Sequence, residues 1–355
     1  MDDLKLLIDK LAAAGEGGPM LTKEELVRLI GGCSPELTAY GAEKARAVQL
    51  RHYGNRIFVR GLIEYSSYCK NDCLYCGLRR SNRQAERYRL DPETVLACCG
   101  LGYELGFRTF VLQGGEDPRF TDEVLVPLVK EMKERWPVCA VTLSLGERSR
   151  ESYQKLRDAG ADRYLLRHEA ASEELYSALH PAELRLENRK RCLRDLKELG
   201  YQVGAGFMVG APGQTAEHLA EDMLYLFDLQ PEMVGIGPFL PHHDTPFRDK
   251  KAGSLELTVF LLALTRLMLP KVLLPATTAL GTLHPEGREM GVLAGANVIM
   301  PNLSPDDVKK KYLLYDGKIS TGDEAAEAVE KLRRRMADIG YEVVTERGDH
   351  ADHTR

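Results

Sequence analysis

No run in the 355-residue chain approaches the ~18 consecutive apolar residues of a membrane-crossing helix. Nor is there a basic excess. The 48 Lys and Arg stand against 53 Asp and Glu, a net charge of −5, so bulk electrostatics gives no reason to expect a nucleic-acid partner. The start, Met1-Asp2-Asp3-Leu4-Lys5, lacks the basic residues and apolar core of a secretory signal. Residue-level repeats and low-complexity tracts are also missing. A disulfide framework is excluded by pattern: Cys33, Cys98, Cys99, Cys139 and Cys192 are scattered, most of them in apolar segments where a free thiol behaves as a small hydrophobe. A reducing, cytoplasmic setting is expected.

What is present is concentrated in one stretch, Cys69-Lys70-Asn71-Asp72-Cys73-Leu74-Tyr75-Cys76. Its three cysteines are spaced C-x3-C-x2-C. Thiolates are soft ligands that suit iron–sulfur clusters or zinc. A closed zinc site needs four protein ligands, and no fourth lies within short reach. His52 is upstream, and Cys98 and Cys99 are adjacent without the spacing of a ligand pair. On a four-iron cluster, three cysteines leave one iron open for chemistry. A zinc knuckle completed by a distant His or Asp is the alternative.

The rest of the chain reads as α/β. Residues 1–55 carry helical periodicity, with Thr22 and Glu25 forming a capping box at the second helix. From Ile57, short β-rich runs alternate with amphipathic helical runs. The strand candidates are Ile57–Glu64, Thr109–Gln113, Cys139–Leu145, Arg163–Arg167, Gln202–Val209, Met233–Gly237, Val272–Ala276 and Asn297–Met300. Eight strands over ~250 residues match a (βα)8 TIM barrel. The expected organisation is a helical extension over 1–55, a barrel over 56–319, and a short extension over 320–355. That last part reads as a helix over Asp323–Ile339, an apolar patch Tyr341–Val344 and a polar, frayed end.

Active sites of such barrels lie at the C-terminal ends of the strands, and Cys69 follows the first strand directly. The second strand ends in Gln113-Gly114-Gly115-Glu116, the third in Thr142-Leu143-Ser144, and the fourth in Arg167-His168-Glu169. Charges there are costly unless paired or bound to ligand. The glycines at 114–115 and across 204–213 permit close approach of a ligand. Thr277 and Thr278 offer hydroxyls to a small carboxylate, and Tyr312 and Tyr315 are candidate cavity walls. His242, His243 and Asp244 invite a metal reading; solvated histidines in a Pro-rich loop are the plainer one.

The cysteine trio, with Tyr75 before its last member, resembles the cluster motif of the radical S-adenosylmethionine (SAM) enzymes. The resemblance implies a [4Fe–4S] cluster on Cys69, Cys73 and Cys76, with SAM chelating the fourth iron and cleaved by one electron to a 5′-deoxyadenosyl radical. Further blocks sharpen it: Cys73–Arg80, Val111–Pro118, Thr142–Glu147, Asp162–Glu169, Met233–Phe239, Pro275–Thr278 and Ala296–Asn302 resemble the HydE family of [FeFe]-hydrogenase maturases, from about residue 20 to 320.

That likeness implies SAM contacts from Tyr75, Gly114, Gly115, Glu116, Ser144, Glu169, Arg189 and Met208. It implies a substrate cavity lined by Gln113, Thr142, Arg167, Thr277, Thr278, Met300, Tyr312 and Tyr315. The implied substrate is an iron-bound cysteine complex carrying CO and cyanide, with HydG and HydF as fellow maturases. Some family members carry three further cysteines near the C-terminus. Here no cysteine follows Cys192, so one cluster is expected. Rival readings are a methylornithine-forming mutase, a biotin-synthase-like enzyme using Cys139 and Cys192, and a non-enzymatic iron–sulfur carrier or scaffold.

Overall fold

A computed structural model describes residues 2–319 and 325–353. Three helices come first: Asp2–Gly15, Lys23–Gly31 and Pro35–Tyr53. The expected capping box opens the second. Glu25 N donates to Thr22 Oγ1 and Thr22 N donates to Glu25 Oε2. The third lies along Leu255–Met268, a helix buried nearly all round.

The strands among the described residues are β1 (Arg56–Val59), β2 (Gly61–Ser66), β3 (Thr109–Gly114), β4 (Ala140–Ser144), β5 (Arg163–Leu165), β6 (Gln202–Ala205), β7 (Met208–Val209), β8 (Met233–Val234), β9 (Gly237–Pro238), β10 (Val298–Ile299) and β11 (Glu342–Val344). A six-stranded parallel sheet runs β2-β3-β4-β5-β6-β8, and a second parallel sheet runs β10-β1-β11. Single parallel bridges complete the ring: Met233 to Leu273, Pro275 to Val298, and Leu62 to Asn302. The short pair β7–β9 continues two staves upward. The result is an eight-staved (βα)8 barrel of parallel strands.

Four expected strands differ in detail; the sixth, Met233–Gly237, divides into β8 and β9. The first splits at Arg60: β1 pairs with β10 and β11, while β2 pairs with β3. The fifth splits at Gly206, whose φ of 146° and 2.1 Å virtual Cβ contact with the Gly235 carbonyl leave room only for glycine. The seventh, Val272–Ala276, forms bridges rather than a ladder. Pro275 has no N–H to donate, and the side chain of Asn297 serves instead, accepting from Leu274 N at 2.9 Å. The amphipathic runs between the strands predict helices over 92–105, 121–135, 149–159, 187–199, 215–228, 256–268 and 286–294 and a short extra one over Glu173–Leu179, and each is found within a residue or two of those bounds.

The C-terminal stretch departs most. Its helix is described over Ala325–Asp338; the expected start at Asp323 lies outside the described residues. The apolar patch is β11, paired with β1. As far as the described residues run, to His353, the polar end is not frayed but folds under the barrel floor. Arg163, buried at the foot of β5, donates to Asp349 Oδ1 at 2.6 Å and to the Arg347 carbonyl at 2.9 Å. Gln202 donates to the same Asp349 oxygen at 2.7 Å, and Arg347 pairs with Asp162 at 3.1 Å. Arg60, fully buried beside them, has only Met233 Sδ and the Gly348 carbonyl as partners. Periodicity carries no trace of this, because it is charge matching between residues ~190 apart in sequence.

Burial works to raise the Asp349 carboxyl, but hydrogen bonding to Arg347 and the Arg163 charge outweigh it and hold it below the ordinary carboxylate range. A depressed carboxyl stabilises the fold above its unfolded value of ~3.9 and ceases to do so as pH falls through the folded value. Asp349→Ala leaves Arg163 without its counter-charge and is expected to cost about 2 kcal/mol, below the usual range for a broken buried pair because the carboxylate is 20% exposed. Denaturant unfolding at pH 7 measures this. The variant should also lose part of the wild type's fall in stability below about pH 4.

Candidate active site

The cluster loop leaves the top of β2 and is held by its own polar groups. Asp72 accepts from Arg79 Nε and Ser81 Oγ, each at 2.8 Å, and Asn82 Nδ2 donates to the Gly77 carbonyl at 2.8 Å. The Arg87 guanidinium donates to four loop carbonyls, those of Ser67, Leu78, Arg79 and Asn82. At the base, Asp117 accepts from Ser66 Oγ and Arg89 Nε, both at 2.6 Å. Lys70 N donates to the Glu116 carbonyl and Gly77 N to the Leu314 carbonyl, each at 2.9 Å. The loop is thus shaped without help from the three thiols, which are free and half-buried on its inner side.

Burial, then their mutual proximity, pushes the Cys73 and Cys76 thiols up, Cys76 to about 12. Three such groups become thiolates together only around a strong positive charge. A single zinc with Zn–S near 2.3 Å draws its thiolates to within ~4 Å of one another. Among the described residues, the one trio of His, Cys, Asp or Glu donors lying within 4.8 Å of each other is His242, His243 and Asp316, not the cysteines. The three thiols therefore do not all lie within 4.8 Å of one another, which counts against a preformed zinc knuckle.

They open onto a cavity of about 370 Å³ inside the barrel mouth. Every residue the sequence singled out as SAM- or substrate-binding lines it except Thr142. That residue sits one layer lower on β4, buried, in a separate void of about 10 Å³ with Arg60 and Arg163. Two residues apart, Thr142 and Ser144 share one face of β4, and the rise of ~6.6 Å between them brings only Ser144 up to the cavity.

The cavity wall holds charges with unfilled valences. Arg167 and Glu169 face each other at 3.2 Å, yet Arg167 Nε and Nη2 and Glu169 Oε2 have no hydrogen-bond partner. Glu116 Oε2 has none either, although Lys70 Nζ lies at 3.3 Å. Glu116 Oε1 accepts from Glu147 N at 3.1 Å. Arg189 is fixed by Glu147 at 2.7 Å and by the Arg167 carbonyl at 3.1 Å. Tyr75 OH meets His180 Nε2 at 3.2 Å, while His180 Nδ1 faces the Tyr176 carbonyl at 2.8 Å. His180 therefore donates from Nδ1 and accepts the Tyr75 proton at Nε2. Burial holds it neutral, its pKa down at about 3. An anion-and-ammonium ligand would satisfy what the wall leaves open, and the thiol set suits a cluster.

The glycines at 114 and 115 line the cavity and are demanded by the protein as well: a Cβ at Gly114 would meet the Tyr65 ring at 2.5 Å, and one at Gly115 the Tyr68 carbonyl at 2.1 Å. Gly204, Gly206 and Gly210 are likewise packed against Leu165, Gly235 and Gly253. His242 is buried, and its Nδ1 accepts from Asp244 N at 3.0 Å, so its proton sits on Nε2. His243 is exposed and bonds Asp316 at 2.6 Å. Asp316, not Asp244, completes this group, which clasps the 241–245 loop to the 312–318 segment.

The sequence reading missed Glu64 and Lys318. Glu64 is fully buried on β2, bonded to Lys318 Nζ and to Asn302 Nδ2 at 2.8 Å. A lone glutamate within the apolar run of β2 was the available signal.

Comparison with known proteins agrees with this geometry. The radical SAM superfamily profile matches residues 63–226. The [FeFe] hydrogenase maturase subunit HydE of Thermotoga maritima is 50% identical over 275 residues, 78% of each chain. The 3-methylornithine synthase of Methanosarcina barkeri is 31% identical over 333 residues, 92% of this chain and 93% of that one. The crystal structure of methylornithine synthase (PylB) superposes with a TM-score of 0.81 at 29% identity, covering 95% of this chain and 97% of the other.

Gly115→Ala would drive a methyl group into the Tyr68 carbonyl and the Cys69 side chain. The expected outcome is a folded barrel that retains less than about a third of the wild-type iron after anaerobic reconstitution, since a displaced ligand typically costs 10-fold or more in metal affinity. Circular dichroism checks the fold, and iron and sulfide assays check the loading.

Proposed function

The chain belongs to the radical SAM superfamily and, within it, to the HydE family of [FeFe]-hydrogenase maturases, and from that premise we propose that it cleaves SAM reductively to act on an iron–cysteine complex carrying CO and cyanide, in assembly of the hydrogenase di-iron subcluster. Its setting is a reducing cytoplasm, with HydG and HydF as fellow maturases. The observation that carries the reading is a single cavity with three thiols on one side and the unfilled valences of Glu116, Arg167 and Glu169 on the other.

Cys69, Cys73 and Cys76 would hold one [4Fe–4S] cluster, which supplies the single electron that converts SAM to methionine and a 5′-deoxyadenosyl radical. Glu116 receives the SAM ammonium. Glu169 accepts from the ribose hydroxyls and Arg189 offers a fork to the carboxylate. Tyr75, Ser144 and Met208 wall the SAM side. Arg167 binds the substrate carboxylate with Gln113, Thr277 and Thr278. Met300, Tyr312 and Tyr315 exclude water, so that the radical meets only its target. Supporting a single cluster, Cys139 and Cys192 face the Phe107 and Arg148 carbonyls and do not line the cavity.

The likeness to 3-methylornithine synthases favours a second reading. The Arg167–Glu169 pair at 3.2 Å suits the two ends of an amino acid, and an assay with lysine for methylornithine separates the two.

The test is anaerobic reconstitution, reduction and addition of SAM. Wild type should release 5′-deoxyadenosine or an adenosylated product, and Cys73→Ala none above background. Glu169→Gln should weaken SAM binding about tenfold, the loss of one charge-assisted hydrogen bond. A brown protein that binds iron but leaves SAM intact would be a carrier and would sink the proposal.

A further inference from the structure

Glu169 sits at φ = 64°, a left-handed conformation that a residue with a Cβ holds only when its surroundings over-determine it. What surrounds it is a buried polar pair that lies outside the cavity. His168 and Asp222 are both fully buried, with His168 Nε2 3.1 Å from Asp222 Oδ1. The same oxygen accepts from Ala171 N at 2.6 Å. On the other side, Gly206 N donates to His168 Nδ1 at 3.3 Å, and Glu169 N donates to the Gly206 carbonyl at 3.0 Å. Because Nδ1 accepts, the imidazole is neutral and its proton lies on Nε2, directed at Asp222. Ala170 N closes the turn onto the His168 carbonyl at 2.8 Å.

Asp222 comes from helix Ala216–Leu229, where an apolar residue would fill the space at lower cost. Burial pushes its carboxyl up, and its second oxygen has no partner. Both bonds that Asp222 makes go to residues flanking Glu169, at positions 168 and 171. We propose that the His168–Asp222 pair is a positioning device: it pins the chain on both sides of Glu169, holds that residue left-handed, and so aims its carboxylate, with Arg167, into the cavity. The proposal rests on the reading above that Glu169 contacts SAM. His168 and Asp222 themselves touch no ligand.

The test uses the full chain. Asp222→Ala in the unloaded protein should raise amide exchange across 168–171, read by mass spectrometry, without raising it in β3 or β4. In the reconstituted protein it should weaken SAM binding about tenfold or more. Asp222→Asn keeps the accepting oxygen and should restore affinity to within about threefold of wild type. Glu169→Gln added to Asp222→Ala should cost far less than it does alone, because residues acting as one unit are not additive.

If Asp222→Ala leaves SAM affinity within about twofold of wild type while Glu169→Gln weakens it tenfold, the positioning role is overturned and the cofactor reading stands. If Glu169→Gln alone has no effect, the cofactor reading fails and the proposal with it. Should Asp222→Ala not fold, His168→Phe, which keeps the ring contact with Tyr225 (5.0 Å between centroids) and removes both bonds, is held to the same thresholds.

Discussion

A charge inside a dry barrel is costly, several kcal/mol for each ion unless a partner and hydrogen bonds offset it, and Arg60, bonded to a thioether and one carbonyl, stands apart from the paired charges. The inner wall here carries charges at three levels. At the floor, Arg163 is met by Asp349 and Gln202. In the middle, Glu64 is met by Lys318 and Asn302. At the mouth, Arg167 and Glu169 meet each other only in part, Glu116 is met by Lys70 and Glu147 N, and all three keep unfilled valences. Partners for the lower two levels include residues that follow the last barrel strand, β10, in sequence: Lys318 and Asp349. The chain therefore neutralises these two levels with its own residues and leaves the top layer for a ligand. A charged, zwitterionic molecule such as SAM is what that layer is short of.

The cluster loop obeys the same constraint. Thiols pushed up by burial and by one another do not organise a loop. Arg87, Asp72 and Asn82 do, by bonding backbone groups just before Cys69 and just after Cys76, from Ser67 and from Gly77 to Asn82. The ligands are thereby presented on a preformed frame, and binding need only deprotonate them rather than fold them.

Much of this was legible in the sequence. Hydrophobic period placed nearly every helix within a residue or two, because capping residues such as Thr22, Ser149, Ser172 and Thr215 mark the starts. The cysteine spacing and the polar strand ends located the mouth. What stayed hidden was non-local. Leu273 and Pro275 bridge rather than ladder, since Asn297 takes over the bonding. The tail looked frayed because Arg347 and Asp349 find their partners some 150 to 190 positions away. The glycines carry a further role that composition does not show: those at 114, 115 and 206 also let strands and the cluster loop approach each other.

The segment Tyr312–Lys318 joins these threads. It supplies Tyr312, Leu314, Tyr315 and Lys318 to the cavity wall. It is tied to the cluster loop by Gly77 N and Leu314 O, to the sixth stave's loop by Asp316 with Pro241 and His243, and to β2 by Lys318 with Glu64. Gly77 is tightly enclosed there: a Cβ would stand 2.2 Å from the Leu313 carbonyl and 2.3 Å from the His242 ring. The loop that presents the thiols and the wall that shuts out water are thus parts of one bonded unit. A radical chemistry needs its source and its enclosure to form together, since an open cavity beside a working cluster would let the radical be spent on solvent. Here the two are joined through Gly77, which donates to the Leu314 carbonyl and packs against Leu313 and His242.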